Sequence, residues 1–191
     1  MTFVLETERT YCNRLIEKHI PVLLEVWNSS ELRYMTMNRS FRDYYGSNSH
    51  IMIYGERDIT KIFEIWDDPL RARGFGIFNK ETHELLGHVA YDFGWDPHFI
   101  VFNLVIYPKN RQNGYAKEVT PYLIGEIFNN LLTNNITVFI DEDEIIAMKF
   151  VETLGFKPSG VIKRETYRGG KFRNTHCFDI LKREWRNVDA N

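Results

Sequence analysis

The sequence is short of cysteine, of long apolar runs and of clustered positive charge, and each shortage removes a class of function. Cys12 and Cys177 are its only cysteines. They give neither the paired spacing of a zinc site nor a disulfide framework, so reduced thiols in a cytoplasmic protein are expected. The histidines His19, His50, His83, His88, His98 and His176 show no metal-ligand spacing, and no metal is expected. No apolar run approaches the roughly 18 residues that cross a bilayer. The first ten residues carry Glu6 and Glu8 instead of a basic n-region. Neither a membrane span nor a secretory leader is therefore expected. Lys and Arg number 24 against 26 Asp and Glu, a formal charge of −2 with no basic patch. Nucleic acid is not an expected partner, because phosphate-backbone binding needs clustered cations. Internal repeats and low-complexity segments are absent as well.

What is present is a packed globule. Hydrophobic residues make up 43% and aromatics 15% of 191 residues, enough for one domain over 1–191 with a substantial core. The chain is organised around Asn103 to Leu132. Asn103-Leu104-Val105-Ile106 has the β-branched, apolar character of a buried strand. Pro108-Lys109-Asn110 ends it. From Ala116 the apolar positions shift to helical spacing, through Val119, Leu123, Ile127 and Leu131. Between strand and helix lies Arg111-Gln112-Asn113-Gly114-Tyr115-Ala116. A strand that feeds a tight turn into a helix start presents unpaired amides and the positive end of the helix dipole, which together suit an anion. Gly114 allows close backbone approach, and Ala116 is small.

Arg-x-x-Gly-x-Ala after an apolar strand and a proline resembles the acetyl-CoA pyrophosphate loop of the GNAT acetyltransferases. Leu154-Gly155-Phe156-Lys157, which follows the apolar run Ile136–Ile140, is similar to the end of that family's next helix. Leu5-Glu6-Thr7-Glu8-Arg9 and Arg183-Glu184-Trp185 resemble the ribosomal-protein alanine acetyltransferase (RimJ/RimL-like) branch. The resemblance spans nearly the whole chain. It implies an α/β (α+β) fold whose central sheet is mixed but mainly antiparallel, with helices on both faces.

Periodicity places the remaining elements. A first strand is expected from Leu5 to Leu15 and a helix from Glu17 to Trp27. Ser30 can cap a short helix from Glu31 to Met37, and Asn38 to Gly55 reads as a loop. A helix follows over Asp58 to Asp67, with Ile59, Ile62, Phe63 and Trp66 on one face. Gly74–Phe78 and Leu85–Phe93 form a hairpin, Gly94–His98 a turn, and Phe99–Tyr107 the next strand. Pro121 removes one hydrogen bond from the helix after the loop and should kink it. Ile136–Ile140 is a strand. Ile145, Met148, Val151 and Leu154 form the inner face of a helix opened by Asp141-Glu142-Asp143-Glu144. Val161–Tyr167 and Phe172–Leu181 pair around Arg168-Gly169-Gly170-Lys171, and the tail from Arg186 is expected to fray.

Moving an acetyl group to an amine requires a held thioester, a polarised carbonyl oxygen and a neutral amine. The resemblance implies that Val105 and Ile106 hold the pantetheine arm through their backbone. It also implies that Arg111, Gln112, Asn113, Gly114, Tyr115 and Ala116 hold the pyrophosphate of acetyl-CoA, chiefly by N–H groups. Side-chain identity at Gln112, Asn113 and Tyr115 should then matter little. The catalytic side chains are not readable. Val101, Phe139, Glu144, Ala147 and Val151 stand where relatives place carboxylates, an Asn, a Ser or Ala, and a Tyr. Asp92, Asp96, His98, Asn103, Tyr107 and Glu144 remain as candidates, with Asp92, His98, Asn103 and Glu144 carried forward. The expected function is an acetyl-CoA-dependent N-acetyltransferase acting by direct attack in a ternary complex. Its acceptor would be a primary amine on a protein N-terminus or a small molecule. The alternative is a catalytically degenerate acyl-CoA-binding module of the same fold. A homodimer through the C-terminal hairpin stays open.

Overall fold

Leu85–Phe93 and Phe99–Ile106 carry apolar residues on both faces, as strands in the middle of a covered sheet must. The computed structural model describes residues 5–32, 53–68, 70–93, 96, 98–168 and 170–185. The expected helix from Glu31 to Met37, most of the loop from Asn38 to Gly55, and the tail from Arg186 lie outside the described residues. Along the chain come β1 (Leu5–Glu6), β2 (Thr10–Asn13), α1 (Ile20–Trp27), α2 (Glu56–Asp67), β3 (Ala72–Asn79) and β4 (Leu85–Phe93). They are followed by β5 (Phe99–Ile106), α3 (Tyr115–Asn130), β6 (Asn135–Asp141), α4 (Ile145–Thr153), β7 (Lys157–Arg168) and β8 (Lys171–Leu181). The strands form one eight-stranded sheet in the order β1-β2-β3-β4-β5-β6-β8-β7. Every neighbouring pair is antiparallel except β5 and β6. The mixed, mainly antiparallel sheet expected from the sequence is what is found.

Strand alternation divides the core into two layers. Val89 and Tyr91 of β4 and Ile100 and Phe102 of β5 face α3 and α4, where they meet Val119, Leu123, Ile127 and Val151. Ala90 and Val105 lie in the opposite layer, with Leu23 and Trp27 of α1 and Ile59, Ile62 and Trp66 of α2. Trp27 is fully buried and meets Trp66 edge-on at 6.2 Å between ring centroids. A large buried side chain of this kind contributes about 1.5–3 kcal/mol, so the α1–α2 layer is anchored to the sheet largely through these indoles.

Three expectations change. The single strand Leu5–Leu15 is instead a hairpin, because the Thr7 N–H donates to the Thr10 carbonyl at 2.9 Å and turns the chain at Glu8-Arg9. Ile145 is half-exposed and Ile146 exposed, so α4 packs through Ala147, Met148, Phe150, Val151 and Leu154. β7 begins at Lys157, four residues ahead of the expected Val161. Its pairing with β8 shifts register between Pro158 and Gly160 and between Ile162 and Thr166, and Arg164 sits there at φ 54°. α3 runs from Tyr115 to Asn130 with Pro121 inside it. No helix among the described residues is long and apolar enough to cross a membrane.

Candidate active site

β5 and β6 pair only through Phe99↔Asn135, Ile100↔Ile136 and Val101↔Thr137. Beyond that rung β5 stays with β4 as far as Gly87↔Ile106, while β6 stays with β8 as far as Asp141↔Thr175. The two parallel strands therefore part at their carboxyl ends, where open sheets of this kind take ligands. The phase of β5 shows which groups face the gap. The His98 carbonyl accepts from the amides of Asn134 and Asn135, whereas the Tyr107 N–H donates to Leu86. Backbone groups alternate sides along a strand, so Phe102, Leu104 and Ile106 face the opening and Val105 faces β4. Gly87 fits this approach because a Cβ there would lie 2.2 Å from the Val105 carbonyl oxygen. The place of Leu104 at the opening is not legible in the sequence, since composition gives the strand but not its phase.

The turn after β5 consumes its carbonyls. Ile106 O accepts from Arg111 Nε at 3.1 Å, Tyr107 O from the Asn110 amide at 2.8 Å, and Pro108 O from the Arg111 amide at 3.3 Å. Asn113 Nδ2 donates to both Asn110 O and Arg111 O at 3.2 Å. Asn113 O accepts from Arg9 Nη1 at 3.1 Å, and Gly114 O takes the first helical bond, from Glu118, at 3.0 Å. A turn with most of its acceptors occupied and a helix start ahead of it favours donors over acceptors at its surface, which suits a phosphate. Gln112 at φ 62° and Gly114 at φ 80° place two left-handed residues in the turn. Glycine adopts this freely, but at Gln112 it costs on the order of 1–2 kcal/mol. The two hydrogen bonds from Asn113 Nδ2, about 1 kcal/mol each, offset this cost, and Arg9 adds a contact at Asn113 O. Two of these side chains have structural contacts of their own: Asn113 closes the turn, and the Tyr115 ring lies 5.0 Å below the Arg9 guanidinium.

Arg9 and Thr7 come from the β1–β2 turn, more than a hundred positions earlier. Arg9 Nε pairs with Glu118 Oε2 at 2.6 Å, and the Arg9 N–H donates to Oε1 at 2.8 Å. The Thr7 hydroxyl also donates to Oε1. Burial pushes the Glu118 carboxyl up, but the hydrogen bonds from Thr7 and Arg9 outweigh it and hold the group below the usual carboxylate range. The sequence signal was the Thr-Glu-Arg triplet, which carries no information about its partner.

The catalytic candidates divide. Asn103 lies two residues past the last β5–β6 rung, opposite Ala90. Glu144 is the N-cap residue of α4, just beyond the carboxyl end of β6. Both therefore belong to the open end of the sheet. Asp92 is opposite Val101, level with the last rung. His98 stands at the closed end, with Nδ1 donating to Leu132 O at 2.5 Å and its N–H to Asp96 Oδ1 at 2.8 Å. Tyr107 is fully buried against His88, with its hydroxyl 3.3 Å from His88 Nδ1. Burial raises the Tyr107 phenol above its ordinary range. Val151 is buried and Ala147 packs into the same layer, so the positions of the missing serine and tyrosine are filled by core.

A parallel pair that parts over a helix start makes a cleft suited to an extended ligand with an anionic end. The profile described as "Acetyltransferase (GNAT) domain" matches residues 12–157. The chain belongs to this GNAT acetyltransferase family and is an acyltransferase. It is 23% identical over 194 residues to the uncharacterized N-acetyltransferase p20 of Bacillus licheniformis, covering 95% of this chain and 97% of that one. The GNAT-family acetyltransferase structure from Bacillus anthracis superposes with a TM-score of 0.76 at 16% identity, over 95% of this chain and all of the other. The spermidine N-acetyltransferase of Vibrio cholerae, solved with CoA and spermine, gives 0.73 at 16% identity over 92% and 97%.

Proposed function

We propose that this acyltransferase moves the acetyl group of acetyl-CoA to a primary amine by direct attack in a ternary complex. The observation that carries the reading is a coincidence at one end of the sheet. The β5–β6 ladder opens after Val101 and Thr137, and the turn Arg111–Ala116, with the Arg111, Asn113 and Gly114 carbonyls engaged, leads into α3 where β5 ends. An extended amide-bearing arm finds at Leu104, and at the Ile106 N–H, the backbone groups that a neighbouring strand would otherwise take. Val105 backs that strand through its packing, and Arg111 to Ala116 receive the pyrophosphate at the helix start. A β5 amide facing the gap polarises the thioester oxygen as charge develops. The amine nitrogen forms the new C–N bond as the C–S bond breaks, and its proton leaves to Glu144 or to water. Asn103 orients the acceptor.

The acceptor is a protein N-terminus or a small amine such as a polyamine. The resemblance of Leu5-Glu6-Thr7-Glu8-Arg9 and Arg183-Glu184-Trp185 to the RimJ/RimL-like branch favours the first, and the Vibrio cholerae structure solved with spermine favours the second. The testing experiment is a thermal-shift titration with acetyl-CoA, CoA and, as a phosphate control, ATP. Ligand at about a hundred times its Kd stabilises by roughly 2.7 kcal/mol. Stabilisation by acetyl-CoA and CoA but not ATP is expected, followed by CoA release across N-terminal peptides and polyamines. No shift with either thioester or thiol would sink the cofactor reading. A shift without CoA release from any acceptor would favour a binding module, which the apolar Ala147 and Val151 positions would also suit.

A further inference from the structure

We infer that Arg9 is a positioning residue of the cofactor site, acting by neutralising Glu118 so that the start of α3 can accept an anion. The inference rests on the acetyl-CoA reading above and extends it to a residue outside the turn. Glu118 lies in the first turn of α3, next to the amides assigned to pyrophosphate. Its carboxylate suits the helix dipole while the site is empty, but it opposes a second negative charge arriving at the same place. Arg9 meets this conflict at close range. It pairs with Glu118 at 2.6 Å, holds Asn113 O at 3.1 Å and covers the Tyr115 ring at 5.0 Å. Its Nη2 lies 3.4 Å from where a Gly114 Cβ would stand. One cation thus borders three consecutive residues of the turn and the only acidic group of the first helical turn. The β1–β2 turn exists in this form because Thr7, Thr10 and Arg9 are tied to one another and to Glu118. The N-terminal hairpin is thereby part of the cofactor site.

The test is calorimetric titration of CoA into the full chain and four variants: Arg9→Met, Arg9→Lys, Glu118→Gln, and the double Arg9→Met/Glu118→Gln. Exposing an unpaired carboxylate beside the phosphates should weaken CoA by about tenfold or more in Arg9→Met. The double variant should recover to within about threefold of wild type, because the uncompensated charge is gone. Arg9→Lys keeps the charge but loses the forked contacts to Glu118 and Asn113 and the ring contact to Tyr115, so its loss should be smaller than that of Arg9→Met. In steady state, Arg9→Met should raise KM for acetyl-CoA and leave kcat at saturation unchanged. Binding by Arg9→Met equal to wild type overturns the inference, and so does a double variant as weak as the single. If Arg9→Met fails to fold, Glu118→Gln binding CoA tenfold more weakly than wild type overturns it instead. Absence of CoA binding by wild type would fall on the cofactor reading and not on Arg9.

Discussion

His88 and Tyr107 meet at 3.3 Å inside the layer under α1 and α2, with Trp27 and Trp66 rings 5.3 and 5.9 Å from the imidazole. Burial lowers the His88 pKa to about 3, so the folded protein keeps it neutral where the unfolded chain would protonate it. The unfolded state then binds the extra proton, and stability falls as pH drops from about 6.5 toward 3, by at most about 1.4 kcal/mol per pH unit. His88→Phe should flatten that decline between pH 6.5 and 5, as read by urea unfolding at fixed pH steps. An unchanged slope would show that other groups set it.

Glu118 titrates with a related consequence at lower pH. Its folded pKa is depressed, so its contribution is complete above the ordinary carboxylate value of 4.5 and is lost as pH falls through the lower folded value. Glu118→Gln should be less stable than wild type at pH 7 and should converge with it in acid. Parallel stability curves at all pH values would contradict the ties to Thr7 and Arg9.

Gly87 and Gly160 offer a paired test of backbone approach. A methyl group at Gly87 would strike the Val105 carbonyl, whereas one at Gly160 meets nothing within 4 Å. Gly87→Ala should cost about 1–3 kcal/mol. Gly160→Ala should be neutral or stabilising by about 0.4–1 kcal/mol. Equal midpoints in chemical denaturation would mean that the β4–β5 spacing is not as tight as described.

Asn113→Asp changes donors into acceptors at constant size. It leaves the Asn110 and Arg111 carbonyls facing a carboxylate, which opens the turn locally at an exposed residue where water replaces the lost partner. KM for acetyl-CoA should rise with little change in the melting temperature, since the turn lies outside both core layers. A variant with wild-type KM would return the site to backbone amides alone.

Gly114→Glu should abolish stabilisation by CoA while the fold persists. It combines a side chain at φ 80° with a negative charge next to the pyrophosphate amides. Retained binding would move the site elsewhere on the sheet.

The strand–turn–helix unit was legible because each part has a local signal: β-branched residues, a proline, a glycine, then helical spacing. Leu85–Phe93 was read to the residue for the same reason. The hairpin at Glu8-Arg9 was not, because no glycine, proline or asparagine marks it and its stabilising partner Glu118 is remote in sequence. Likewise, nothing local shows that Leu104 faces the gap and Val105 does not. That depends on which neighbour β5 keeps and which it leaves. Ile145 followed helical spacing yet points to solvent, since α4 starts only after Glu144 and its first turn overhangs the core.

β7 closes the sheet on one side, and its irregularity limits what could pair along that edge. A long straight border strand invites a second chain to zip along it. Here Pro158 offers no N–H, two register shifts interrupt the row, and Arg164 turns the backbone left-handed. The border is thereby cut into segments of two or three residues. A second copy meeting the C-terminal hairpin would find side chains to pack against, but no continuous ladder to extend.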